Sequence, residues 1–125
     1  MVPIRTMIVV ALVSMLSAYA LAQSSQFTVF FGTGSDHLGK KAHAVVAQAA
    51  AAAREQRGSR LVVAGYGDGE TAADAALGDR RAMAVARALI KAGIEQSRID
   101  RRPGAPQAAG AGMPVHKVTV TLESP

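Results

Sequence analysis

"GYGDGETAADAALGDRRAMAV", residues Gly65 to Val85, begins where one pattern of side chains stops and another starts. Ahead of it, "RLVVAG" (Arg60 to Gly65) is short, apolar and β-branched, the composition of a buried strand. Behind it, Leu77, Val85, Ala88 and Leu89 recur at helical spacing and Gly93 stands where a helix stops, which predicts a helix over Ala73 to Ala92. The turn between them holds one acid, Asp68, flanked by Gly67 and Gly69, and the helix carries Arg80 and Arg81. Taken alone, an Asp in a glycine turn is a turn residue, and a pair of arginines is a solvated helix face.

Working outward, "FTVFF" (Phe27 to Phe31) is β-branched and aromatic and is stopped by "GTGSD", a strand and a turn. From Leu38 to Arg57 the chain is alanine-rich, with Ala42, Val45, Val46, Ala49 and Ala53 on one helical stripe and Gly58 as the stop. Downstream, "SRIDRR" (Ser97 to Arg102) is a brief strand and "VHKVTVTLE" (Val115 to Glu123) alternates as a half-buried antiparallel strand does. The intervening "PGAPQAAGAGMP" is a loop with nothing to bury. The order β-α-β-α-β-β predicts an α/β (α+β sandwich) fold, one mixed sheet with helices packed on it.

The start of the chain has a different logic. Arg5 precedes an apolar run from Met7 to Val13, and Ala20-Leu21-Ala22 closes the segment before Gln23. That is the order of a secretory signal, so residues 1–22 are expected to be a signal peptide and 23–125 a single domain. The largely apolar stretch Met7 to Leu21 falls short of the roughly 20 residues that span a bilayer. The membrane enters as a partner only if the signal is left uncleaved. The destination implied is outside the cytoplasm.

The chain has 14 basic and 9 acidic side chains; loss of Arg5 with the signal leaves 13 and a net charge of +4. The charges are scattered, aromatic residues are few and the signal leads away from nucleic acid, so no nucleic-acid partner is expected. An anionic polymer of the envelope fits the balance better. The absence of cysteine excludes disulfides and thiolate metal sites.

Most small constellations give way to plain structure. "GTGS" and "GYGDG" sit where phosphate loops sit, since glycines let N–H groups converge on an anion, but neither continues into Gly-Lys-Ser/Thr and both read as ordinary turns. His37, His43 and His116 lack a ligand spacing, and Asp68, Glu70 and Asp74 lack the acid ladder of a calcium loop, so no metal and no cofactor is expected. No serine or threonine has a His and an acid arranged around it, and an enzyme is not expected.

One wider pattern remains. "GYGD" after a strand, "DAALGDRRAMAV" through a helix and "LIKAGIEQSRI" beyond it resemble the OmpA-like carboxy-terminal domain, found also in peptidoglycan-associated lipoproteins and flagellar stator proteins. Gly65, Asp68, Leu77, Arg81, Ala82, Val85, Gly93, Ile94, Arg98 and Ile99 all fall on that family's pattern, and "FTVFFGTGSDHL" and "KVTVTLE" match its first and last strands. The resemblance implies noncovalent binding of peptidoglycan through the diaminopimelate of the stem peptide. Asp68 would hold its ammonium and Arg81 its carboxylate. Tyr66 and Gly67, which replace the family's His and Thr, Asp74, which replaces its Asn, and Lys117, in the segment where the family often has N-R-R-V, complete the candidate site. An envelope protein is the other partner this resemblance admits, and the location it implies is the periplasm, in association with the outer membrane or the wall.

The residue types suit that role. A guanidinium offers a rigid fork that matches a carboxylate in two parallel hydrogen bonds. The glycines beside Asp68 leave room for a ligand, and helical spacing puts Asp74, Leu77 and Arg81 on one face. A fold that has kept its frame but lost the ligand is the alternative, given the altered His, Thr and Asn positions.

Overall fold

The computed structural model describes residues 25–104 and 116–124. The expected signal peptide, the loop from residue 105 and the first residue of the expected last strand lie outside them. In chain order the elements are β1 (Ser25–Phe30), α1 (Lys40–Glu55), β2 (Arg60–Gly65), α2 (Ala72–Lys91), a 3-10 turn (Gln96–Arg98), β3 (Ile99–Pro103) and β4 (Lys117–Glu123).

The four strands form one mixed sheet in the order β1-β4-β2-β3. β4 runs antiparallel to both β1 and β2, pairing Val29 with Val118 and Val63 with Val120, while β2 and β3 are parallel, with Leu61 opposite Ile99. β1, β2 and β3 therefore point the same way. Their carboxyl ends, and the start of β4, meet at one edge of the sheet. Open α/β sheets bind ligands in that position.

Alternation sets the core. Val29, Leu61, Val63, Val118, Val120 and Leu122 are buried on the face that receives the helices. From α1 come Ala42, Val46, Ala49, Ala50 and Ala53, and from α2 Ala82, Val85 and Leu89. Alanine on the inner stripe of α1 lets the helix lie close to the sheet, so a domain with few aromatic residues still fills its interior. Val45 and Ala88, read as inward, are only partly buried at the margin. None of the helices in the described residues is long and apolar enough to cross a membrane.

Helix ends are built from local chemistry. Thr71 caps α2 by accepting from the Asp74 backbone N–H, and the Asp74 carboxylate accepts from the Thr71 N–H in return, a capping box worth about 1 kcal/mol. Gly93, at φ 101°, ends the same helix in the left-handed conformation that glycine adopts without strain. The far end of α1 is closed by Arg98 from the 3-10 turn, which donates to the carbonyls of Ala53, Gln56 and Ser59 at 2.9–3.2 Å. Ser97 and Arg98 thus belong to a turn, and the strand expected over 97–102 runs instead from Ile99 to Pro103.

Candidate functional site

The quoted turn lies against the first turns of α2, and the glycines explain how. A Cβ on Gly65 would overlap the carbonyl of Gly78, and one on Gly67 would overlap the carbonyl of Asp74. The space beside Asp68 is therefore occupied by the helix itself. The glycines serve close packing of backbone on backbone.

That packing brings Arg81 under the turn. Leu77, Arg81, Val85 and Leu89 are four apart and all buried, so the arginine stands on the apolar stripe of α2 and is fully enclosed. Its donors reach three backbone carbonyls: Nε to Ser35 at 2.7 Å, Nη1 to Tyr66 at 2.9 Å and Nη2 to Gly32 at 3.0 Å. Nη2 also stands 2.8 Å from Oδ1 of Asp68, and the guanidinium carbon lies 5.5 Å from the centre of the Phe31 ring. One side chain thus ties the loop after β1 to the loop after β2. Arg80, the residue before it, has a side chain 57% exposed and makes a 3.4 Å pair with Asp36.

Asp68 gathers partners from three segments. Its Oδ2 accepts from the Gly34 N–H at 2.7 Å. Its Oδ1 lies 2.6 Å from Nδ1 of His116, just ahead of β4. An ionised carboxylate only accepts, so that ring nitrogen carries the hydrogen. Partial burial opposes ionisation, but the bonds from His116, Gly34 and Arg81 outweigh it and hold the carboxyl at about 2, below its ordinary 3.8. The side chain keeps one-fifth of its surface exposed. The side chain is thus an ionised carboxylate, backed by the Arg81 guanidinium and partly open to solvent.

The remaining expected site residues are placed differently. Tyr66 gives its carbonyl to Arg81, and its ring lies 5.0 Å from the Lys117 ammonium. Asp74, expected on the face of Arg81, spends its carboxylate on the N–H and hydroxyl of Thr71. Asp68 and Arg81, read as holding opposite charges of one ligand, are in direct contact with each other. His116 and the Gly32–Ser35 backbone are contributors the sequence reading missed. The four-residue stripe of Leu77, Val85 and Leu89 was the available signal for a buried Arg81, and "GTGS" was the signal for an anion-holding loop. The anion it holds is the chain's own Asp68. Among the described residues no group of three or more His, Cys, Asp or Glu could hold a metal ion.

A sequence model of the OmpA family matches residues 30–119, from the end of β1 into β4. The chain belongs to the OmpA family. The OmpA-like domain of FopA1 from Francisella tularensis superposes with a TM-score of 0.69 at 20% identity, over 82% of this chain and 73% of that one. The peptidoglycan-associated lipoprotein from Burkholderia pseudomallei gives 0.64 at 21% identity, over 78% of this chain and 88% of that one. The cell wall anchor of the T6SS from Pseudomonas aeruginosa gives 0.62 at 19%, over 82% of both. No curated protein matches the chain. At these identities the likeness is one of fold, and the OmpA frame is the mixed sheet with two helices described above.

Proposed function

We propose that this OmpA-family domain docks noncovalently on peptidoglycan through the diaminopimelate of the stem peptide, in the periplasm. The observation that carries the reading is Asp68: an ionised carboxylate with an open edge, at the carboxyl ends of the parallel strands, in the family's strand-end motif. One solved relative is a peptidoglycan-associated lipoprotein and another a cell wall anchor, which supports a wall ligand for this chain. The domain binds and holds; it performs no chemistry.

In this reading the exposed edge of Asp68 receives the ligand ammonium. The ligand carboxylate goes to Arg81, which must release part of its present shell to take it, because the guanidinium is buried and every nitrogen is already bonded. Lys117, part-exposed beside Tyr66, supplies positive charge at the rim, and His116 holds Asp68 from the same segment. A charged hydrogen bond contributes roughly 1.5–3 kcal/mol, so deletion of Asp68 is expected to show in binding. Repetition of the ligand along the wall raises the retention of any oligomer.

The closed shell of Arg81 favours a second reading, in which the OmpA frame serves an envelope complex and the clasp is structural. Co-sedimentation with diaminopimelate-type sacculi separates the two. The parent protein pellets and Asp68→Asn, of equal shape, stays in solution while melting as a folded domain. A parent that fails to pellet leaves the structural reading standing.

A further inference from the structure

Two hollows meet at His37 on the helical side of the domain, and neither includes Asp68. The first, about 480 Å³, has Leu38, Met83 and Ala84 as its apolar wall, with Arg80, Arg87 and His43 around them. The second, about 490 Å³, continues past His37 to Phe30, Lys40 and Lys41. Asp36 is the one acid lining either, and its pair with Arg80 at 3.4 Å leaves both side chains more than half exposed. Such a pair is worth little and exchanges readily. Arg87 makes no ion pair among the described residues. Phe30, 57% exposed, gives the far end an apolar anchor.

The spacing selects the shape of an occupant. Arg80 and Arg87 are two helical turns apart, about 10 Å along α2. Three residues of chain in the extended polyproline II form rise about 9 Å and complete one turn, so side chains three apart share a face. Acids at every third position of such a segment therefore meet both guanidinia, and its intervening apolar side chains lie over Met83 and Leu38. The chain's own remaining segments do not fit, since residues 1–24 and 105–115 contain no Asp or Glu. A lipid surface is met by cations spread over a broad face, whereas these line two hollows that adjoin at His37.

We infer that this channel is the docking site for an extended acidic segment of a protein partner, independent of the wall-binding reading. Acids of the segment pair with Arg80 and Arg87, and its apolar side chains lie on Leu38, Met83 and Phe30.

The test is fluorescence anisotropy with a labelled synthetic peptide bearing Asp or Glu at every third position and Leu between, against the same peptide with those acids changed to amides. The acidic peptide binds with an affinity that falls as salt rises, and the amide form does not bind. Arg80→Ala with Arg87→Ala weakens binding roughly tenfold, while Arg57→Ala with Arg60→Ala, which removes equal charge elsewhere, leaves it within about twofold. Asp68→Asn leaves peptide binding unchanged, which separates this site from the wall site. Equal losses in the two arginine pairs, or equal binding of the amide peptide, overturns the proposal. So does absence of peptide binding, including the case in which phosphatidylglycerol vesicles or a second copy of the domain associate through Arg80 and Arg87 instead.

Discussion

Arg81 backs Asp68: the guanidinium, fully buried, places Nη2 2.8 Å from Oδ1 of a side chain that keeps one-fifth of its surface in solvent. The same guanidinium holds the carbonyls of Gly32, Ser35 and Tyr66, so the pair is also the knot that closes the strand-end loops.

Removal of Arg81 is therefore expected to cost stability before it costs binding. Arg81→Ala strands three carbonyls and a partly buried carboxylate, a loss of about 3–5 kcal/mol by analogy with broken buried pairs. Arg81→Lys recovers little, because one ammonium cannot serve a fork of partners. Arg80→Ala, one residue away, stays within about 0.5 kcal/mol. Urea unfolding of the three variants checks the contrast, and an Arg81→Ala midpoint near the parent's contradicts it.

Asp68 fixes an acid limit. Its carboxyl is at about 2 in the folded chain against 3.8 ordinarily, so the unfolded chain binds more protons between those values. Its contribution is complete above about pH 4 and fades as pH falls toward about 2. Melting temperatures from pH 2 to 6 show this slope in the parent and a shallower one in Asp68→Asn. Parallel slopes would mean that other carboxylates govern acid unfolding.

Gly65 is expected to tolerate no side chain. Its Cβ would overlap the Gly78 carbonyl and reach within 2.9 Å of the Ala82 Cβ, both on a packed helix. Gly65→Ala should lower stability by about 1–3 kcal/mol or more through displacement of α2. Loss of the Asp68–Arg81 contact should follow, seen as a flattened acid slope in the same melting series.

Gly39 offers a gain. It is the N-cap of α1 in extended backbone, makes no side-chain cap, and a Cβ there meets nothing within 4 Å. Gly39→Asp adds an acceptor for the first free N–H groups and an acid beside Lys40 and Lys41 at the positive helix end. Thermal unfolding should register about 0.5–1 kcal/mol of added stability.

Where local chemistry decides an element, its bounds were legible. β2 runs from Arg60 to Gly65 as expected, because turn residues flank an apolar run, and α2, Ala72–Lys91, begins and ends within one residue of expectation, between its Thr71 cap and Gly93. Where a distant partner decides, they were not. β1 reaches back to Ser25 because Leu122 pairs with it there, and Arg98 leaves the strand because α1 needs its carbonyls closed. The site follows the same division. Asp68 and Arg81 stood in a recognisable pattern, but their contact depends on loops brought from Gly32, Gly34 and His116, far away in sequence.

The strand order imposes an order of assembly. β4 lies between β1 and β2, yet it follows every other element in the chain. Until residues 117–123 are available, β1 has no neighbour in the sheet; it packs on α1, and the loop after it is tied to Arg81 and Asp68. A nascent chain lacking them can form α1, α2 and the β2–β3 pair, but it cannot close the core. Closure of the core thus waits on the segment most distant in sequence from β1, the kind of long-range pairing whose loop-closure entropy slows folding.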